Sequence, residues 1–167
     1  MADNNDQLRE KLIDYVQDAH AMELNVQAML QSMIATTQDA TVKRQLEHHL
    51  EETKEQADRL SDRLEALDAG GSIRKQVTAV MGAGAKGVLD QVRGDKPGKN
   101  ARDAYVTENL EIAAYELLCR LAERAGDQQT VDVCKHNLRE ELEMRSFVEK
   151  NWDRFLDMTL VQEGVGV

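Results

Sequence analysis

The sequence predicts an all-α protein in which four long helices form a bundle, with a long crossover between the second and third helices. Residues that favour helices, namely Ala, Leu, Glu, Gln, Lys and Arg, dominate the chain, and only one Pro occurs among 167 residues. Apolar residues recur at spacings of three and four over long segments, which is the pattern of amphipathic helices. In β-strands, apolar and polar residues would alternate instead. Two of the links between helices are short, whereas the third extends over residues 69–100.

The length and composition indicate a single domain over residues 1–167, with its core at about 8–158. Hydrophobic residues make up 41% of the chain, which is enough to build such a core. The formal net charge of −10 disfavours binding to duplex DNA or to an anionic membrane, because both surfaces require clustered Lys and Arg. We therefore expect neither a nucleic-acid partner nor a membrane partner.

The sequence features that bear on localisation favour the cytoplasm. No apolar run approaches the roughly 20 residues of a transmembrane helix, and the N-terminal residues lack the basic and apolar regions of a signal peptide. The two cysteines, Cys119 and Cys134, form no CxxC motif. A reduced, cytoplasmic protein is the expectation.

Four helices are predicted over about 7–36, 41–68, 100–125 and 128–158. Asp39 or Thr41 can cap the second helix, and Gly126 ends the third. The crossover is expected to hold a short extra helix over about 72–92. Because the other links are short, helices 1 and 2 form one antiparallel hairpin and helices 3 and 4 another, while helices 2 and 3 lie parallel. This one-crossover arrangement is that of ferritin-like folds.

Acidic residues interrupt the apolar seams of these helices near their midpoints. The stripe of helix 3 carries Glu108, Glu111 and Tyr115, and the seam of helix 1 carries Glu23. Helix 2 offers His49 and Glu52 beside its seam, and helix 4 offers Glu141 on a predicted seam that includes Leu138 and Arg145. The spacing from glutamate to glutamate is nearly the same in both hairpins, so the acids should meet in one central layer. An unpaired carboxylate in a bundle core costs several kcal/mol and must be neutralised by a proton, an arginine or a metal.

The layer resembles the ligand set of dinuclear metal sites in helix bundles. Such sites take one Glu from each of two helices and a Glu-x-x-His motif from each of the other two. The carboxylate half of this pattern is present, whereas Glu55 and Met144 stand where the motif would place histidines. The predicted ligands of an iron or manganese pair are Glu23, Glu52, Glu111 and Glu141, with Glu108 and His49 at the rim. Tyr115 would lie near enough to tune the site or to accept an electron.

Simpler interpretations stay open at this stage. Glu141 and Arg145 are four residues apart on one helix and can form an ion pair. Tyr115 can be an ordinary core residue whose hydroxyl bonds a neighbouring carboxylate. In that case the acids share protons, and the protein is a metal-free dimeric scaffold or binds a partner helix.

Several segments resemble the bacterial YciF/YciE-like ferritin-like proteins. HLEET at 49–53 resembles their second helix, ENLEIAAYELLCRLAERAG at 108–126 their third, and Glu140-Glu141 the paired glutamates of their fourth. Glu23 falls at their first-helix glutamate, and the resemblance covers about 8–158. It implies a ferritin-like bundle, a homodimer, a dinuclear metal site and a link to stress responses.

Together these observations predict a stress-associated ferritin-like protein whose carboxylate-rich site holds iron or manganese and handles oxygen or peroxide. If it is an enzyme, it is a di-iron-type oxidoreductase. The homodimer is expected to use apolar residues on the outer faces of helix 1 or the crossover, such as Met22, Met29 and Met81.

Overall fold

The computed structural model describes residues 4–67 and 96–166. The described residues form five α-helices and no strand, which confirms the all-α prediction. The helices are α1 (Asn4–Thr36), α2 (Ala40–Ala66), α3 (Lys96–Ala125), α4 (Gln128–Lys150) and α5 (Trp152–Gln162). The helix predicted over 72–92 lies outside the described residues. No helix in the described ranges is both long and apolar enough to cross a membrane.

Two hydrophobic clusters establish the directions of the helices. The first joins the first half of α1 to the second half of α2, the second half of α3 and the first half of α4 through Leu12, Leu60, Leu118 and Val131. The second cluster joins the four opposite halves, for example through Leu30. Consequently α1 and α2 are antiparallel, α3 and α4 are antiparallel, and α2 runs parallel to α3. The predicted one-crossover topology is confirmed.

Specific polar residues begin and end these helices. The Asp39 side chain accepts hydrogen bonds from the backbone N–H groups of Thr41 and Val42, both at 2.9 Å, and so caps α2. Gly126 follows α3 with a φ of 71°, a left-handed conformation that costs glycine little. Asp127 then caps α4 through the N–H of Thr130. These caps account for two of the short links.

An arginine near the end of α2 contacts the start of α4. Arg63, near the end of α2, places Nη2 2.8 Å from Asp127 Oδ2 and Nε 3.1 Å from Thr130 Oγ1. The ion pair is largely shielded from solvent. It fixes the end of the first hairpin against the start of α4, at the end of the bundle that the first cluster fills.

The prediction for the fourth helix is wrong about where the helix ends and about some of its buried residues. It breaks at Asn151, whose side chain donates to the Phe147 carbonyl at 2.7 Å, and a separate helix, α5, begins at Trp152. The buried seam runs through Asn137 and Met144 rather than through Leu138 and Arg145, which are only half-buried. Spacings of three and four from Cys134 lead to Asn137, Glu141, Met144 and Val148, all of them buried.

Candidate metal centre

A layer of polar side chains separates the two hydrophobic clusters. Each of the four long helices contributes to it, since each carries a polar residue on its buried seam at this level. Its fully buried members, none with measurable exposure, are Glu23, His49, Thr53, Gln56, Glu108, Glu111, Asn137 and Glu141. The sequence-predicted layer of acids therefore exists, and it lies in the core of the bundle.

His49 lies within ion-pair distance of three carboxyl groups. Its Nε2 is 3.3 Å from Glu108 Oε2 and 3.6 Å from Glu141 Oε2, while its Nδ1 is 3.1 Å from Glu52 Oε2. Burial lowers the pKa of the imidazole, but the nearby carboxyl groups of Glu108 and Glu52 outweigh burial and raise it well above its ordinary value. The Nδ1 contact with Glu52 directs Nε2 towards the inner acids.

Four residues of the layer bring ligand atoms to one point. A nitrogen of His49 and one oxygen each of Glu108, Glu111 and Glu141 all lie within 4.8 Å of one another. Both carboxyl oxygens of Glu108 and of Glu111, together with Glu141 Oε2 and His49 Nε2, make no well-aligned hydrogen bond with any described residue, although His49 Nε2 lies near Glu108 and Glu141. Buried acceptors without donors are costly, so this group could hold a metal ion.

Burial and mutual repulsion disfavour the charged forms of the inner acids. Burial raises the pKa of Glu23 to about 8 and that of Glu141 to about 10. For Glu111, burial and then the charges of Glu141, Glu23 and Glu108 raise the pKa well above its ordinary value. Without a cation, therefore, the layer retains protons near neutral pH.

Tyr115 and Asn137 hold Glu23. The Tyr115 hydroxyl donates to Glu23 Oε1 and accepts a 2.9 Å hydrogen bond from Asn137 Nδ2. Burial, followed by the neighbouring Glu23 charge, raises the pKa of the phenol well above its ordinary value. The second oxygen of Glu23 is buried without a hydrogen-bond partner among the described residues. Tyr115 is thus both a core residue and a positioning group.

Glu52 lies at the edge of the layer rather than at its centre. Its side chain retains 16% exposure and is placed between two histidines, with Oε1 3.2 Å from His48 Nε2 and Oε2 facing His49. The histidine contacts lower its pKa, although burial alone would raise it. Glu52 and Glu23 are not among the four residues whose ligand atoms converge.

Gln56 and Arg59 connect the layer to a second edge. Gln56 Nε2 donates to Glu141 Oε1 at 2.5 Å and to Glu140 Oε2 at 3.1 Å. Arg59 Nη2 reaches the same Glu140 oxygen at 2.5 Å. Glu141 and Arg145 form no ion pair with each other, so that simpler interpretation of Glu141 is wrong.

Comparison with known proteins places the chain in a family. The family model described as "Domain of unknown function (DUF892)" matches residues 7–160. The chain belongs to the DUF892 family. A protein from Xanthomonas campestris pv. campestris, solved by crystallography, is 28% identical, with a TM-score of 0.76 over 95% of this chain and 99% of that one. YcfI from Rhodopseudomonas palustris shares the fold at 23% identity, with a TM-score of 0.65 over 89% of this chain and 97% of its own.

In this DUF892 protein, Asn137 and Glu140 were not recognised as site residues from the sequence. Asn137 could have been found, because it lies three residues after Cys134 and four before Glu141 on the buried seam. Glu140 is nearly buried because it meets Gln56 and Arg59 of α2. Nothing in the sequence of α4 alone indicates that contact.

Proposed function

We propose that this ferritin-like protein holds a dinuclear iron or manganese site in its bundle core, acts in stress responses and handles oxygen or peroxide there. The observation that supports the proposal is the convergence of His49, Glu108, Glu111 and Glu141 within 4.8 Å, buried and mostly without hydrogen-bond donors. If it is an enzyme, it is an oxidoreductase of the di-iron type.

The ligand atoms of these residues, and their total charge, suit a pair of divalent metal ions. Glu23, Glu108, Glu111 and Glu141 are four fully buried carboxyl groups, and two divalent ions would cancel four negative charges. Carboxylate oxygens with one imidazole nitrogen suit iron, manganese and zinc better than soft ions such as copper(I). The Arg59 guanidinium cannot replace the ions, because it pairs with Glu140 and not with the inner acids.

The surrounding residues orient the ligands. Glu52 accepts at His49 Nδ1 and leaves Nε2 to coordinate, the arrangement by which carboxylates commonly fix metal-binding histidines. Tyr115 engages one oxygen of Glu23 and Gln56 one oxygen of Glu141, so each acid keeps its other oxygen for an ion. Bound iron or manganese would supply the electron exchange with oxygen or peroxide. In this proposal Tyr115, which donates to Glu23, tunes the site or accepts an electron.

Metal-dependent melting tests the proposal. Iron(II), manganese(II) or zinc(II) should raise the melting temperature of chelator-treated protein, because a ligand that binds only the folded state stabilises it by about 2.7 kcal/mol at 100 times its dissociation constant. For a chain of this size that is a rise of roughly 5–10 °C. Glu111→Gln should abolish the rise and keep the helical content, whereas Glu116→Gln on the outer side of α3 should keep both. An unchanged wild-type melting temperature in all three metals would contradict the proposal.

An apolar stripe on the outside of α3 favours the second candidate, a metal-free dimeric scaffold. Val106, Leu110 and Leu117 are 62%, 62% and 57% exposed, and Ala113 between them is also exposed. Their spacings of four, three and four are those of a seam between packed helices. In this candidate the inner acids are neutralised by protons and by His49, Gln56 and Tyr115.

We propose that a second copy of the chain packs on this stripe. A twofold axis near Ala113 would pair the stripe with itself antiparallel, placing Leu110 of one copy against Leu117 of the other. The methionines expected at the interface are less suitable, because Met22 and Met29 are half-buried against the two core clusters. Met81 lies outside the described residues. The metal content of protein purified without chelator separates the two candidates, since only the first requires an ion.

A further inference from the structure

We propose that His48 and Glu52 form the route by which divalent cations reach the buried centre, an inference that rests on the metal-binding function proposed above. Each step of the route is a pair of ligand-type atoms. His48, with 65% of its side chain exposed, places Nε2 3.2 Å from Glu52 Oε1, and the other Glu52 oxygen meets His49 Nδ1 at 3.1 Å. His49 Nε2 then faces Glu108 and Glu141.

Solvent reaches the outer end of this route through a surface groove. The groove lies between α2 and α4, has a volume of about 590 Å³ and is open to water. His48 lines it together with polar residues that include Gln45, Glu143 and Ser146, and with the cations Arg139 and Lys150. A hydrated cation in the groove would therefore meet an imidazole first and a carboxylate next, and both can replace its water ligands.

A second histidine–glutamate pair approaches the same acids from another edge and provides a natural contrast. His136 Nε2 lies 3.0 Å from Glu140 Oε1, also four residues along the helix. There, however, the Arg59 guanidinium already occupies the other Glu140 oxygen and would repel an incoming cation. The Gln56 amide lies between Glu140 and Glu141 and donates a hydrogen bond to each of them, so it offers a cation no ligand atom there. At this edge an arginine lies on the acid itself, whereas the Glu52 oxygens contact His48 and His49, and Arg139 and Lys150 line the groove outside that contact.

The proposal changes the role expected of Glu52. A carboxylate that remains partly exposed and contacts both an outer and an inner histidine is suited to transient binding and transfer. The four converging residues lie deeper and have no exposure. Glu52 therefore acts in delivery and in orienting His49, while the inner acids hold the ions.

Rates of metal uptake test the route on the full-length, chelator-treated protein. Zn²⁺ is supplied from a weakly binding colorimetric indicator in a stopped-flow instrument, and bound Mn²⁺ per chain is measured separately at equilibrium. His48→Gln should slow zinc uptake roughly tenfold, the lower end of the effect of ionic and ligand steering on association rates. The equilibrium Mn²⁺ content should stay at the wild-type value, because His48 is not among the four residues whose ligand atoms converge. Glu52→Gln should slow uptake at least as much.

His136→Gln is the matched control and should take up zinc at the wild-type rate. Wild-type uptake by His48→Gln, or equal slowing by His48→Gln and His136→Gln, would overturn the route while leaving the metal site intact. A wild-type protein that binds neither zinc nor manganese would overturn the proposed metal function and this route together. Since His48 is exposed, its replacement should not impair folding, and a circular dichroism spectrum checks this.

Discussion

Replacing Glu141 by Gln should make the metal-free protein less sensitive to alkaline pH. Glu141 is fully buried, and burial is the main reason that its pKa rises from an ordinary 4.5 to about 10. Gln has nearly the same shape, and its amide oxygen can still accept the hydrogen bond that Gln56 donates. The substitution therefore removes a titrating group with little change in packing.

The pKa shift sets the sign and the size of the effect. The folded carboxyl keeps its proton up to about pH 10, whereas the unfolded one releases it near 4.5, so folding takes up one proton in that window. The free energy of unfolding consequently falls as the pH rises, by about 1.4 kcal/mol per pH unit. Between pH 5 and pH 8 the wild type should lose about 4 kcal/mol relative to Glu141→Gln. Glu23 and Glu111 titrate in both proteins and largely cancel in this difference.

Urea unfolding followed by circular dichroism, at pH 5, 6, 7 and 8 with a chelator present, measures the difference. The two proteins should have similar free energies of unfolding at pH 5 and diverge steadily above it. Glu143→Gln, an exposed position on the same helix, is the control and should follow the wild-type profile. Parallel profiles for the wild type and Glu141→Gln would refute the conclusion that Glu141 is held protonated in the folded state.

Three further predictions concern assembly and stability. Leu110→Glu should yield a monomer in light scattering at concentrations where the wild type is a dimer, whereas Leu156→Glu, a similarly exposed apolar position on α5, should leave the mass unchanged. Arg63→Ala should lower the free energy of unfolding by about 2 kcal/mol, because its shielded contacts at the start of α4 are lost. Arg120→Ala, which breaks an exposed ion pair, should change it by less than about 0.5 kcal/mol in the same urea titration. Gly126→Ala should cost about 1 kcal/mol through backbone strain at its φ of 71°, and a melting curve without destabilisation would contradict this.

The topology could be predicted because it depends on seams and link lengths, both of which are visible in the sequence. Seams taken at alternating spacings of four and three from Leu12 in α1, Leu46 in α2 and Ala104 in α3 are buried throughout. The break at Asn151 could not be predicted in the same way, since no proline or glycine marks it. There the Asn151 side chain donates to the Phe147 carbonyl in place of a backbone N–H, and Phe155 of α5 packs in the second cluster.

The level of the candidate site was predictable, but the arrangement of its side chains was not. Nearly equal spacing in the two hairpins places acids of all four helices at one height, and the structure shows them there, with Glu52 at the edge. Which atoms meet depends on the rotation of each helix about its axis. In α2 the rotation buries His49 and Gln56 completely and leaves Glu52 at the edge. The sequence pattern shows which residues share a face of the helix, but it does not give the rotation of the helix about its axis. It therefore cannot tell which of these residues lies innermost.

The location of the layer explains how the fold tolerates it. Buried carboxyl groups without hydrogen-bond donors destabilise a folded chain by several kcal/mol, yet here they lie between two complete apolar clusters built from the same helices. The clusters determine the fold at both ends, so the acids in the middle need not contribute to stability. Hydrophobic residues would pack at this level at lower cost, and the nearby arginine, Arg59, is turned to the outer acid Glu140 instead of the inner ones. A layer that is costly when protonated, and that cations would neutralise, therefore supports the proposal that this group holds a metal.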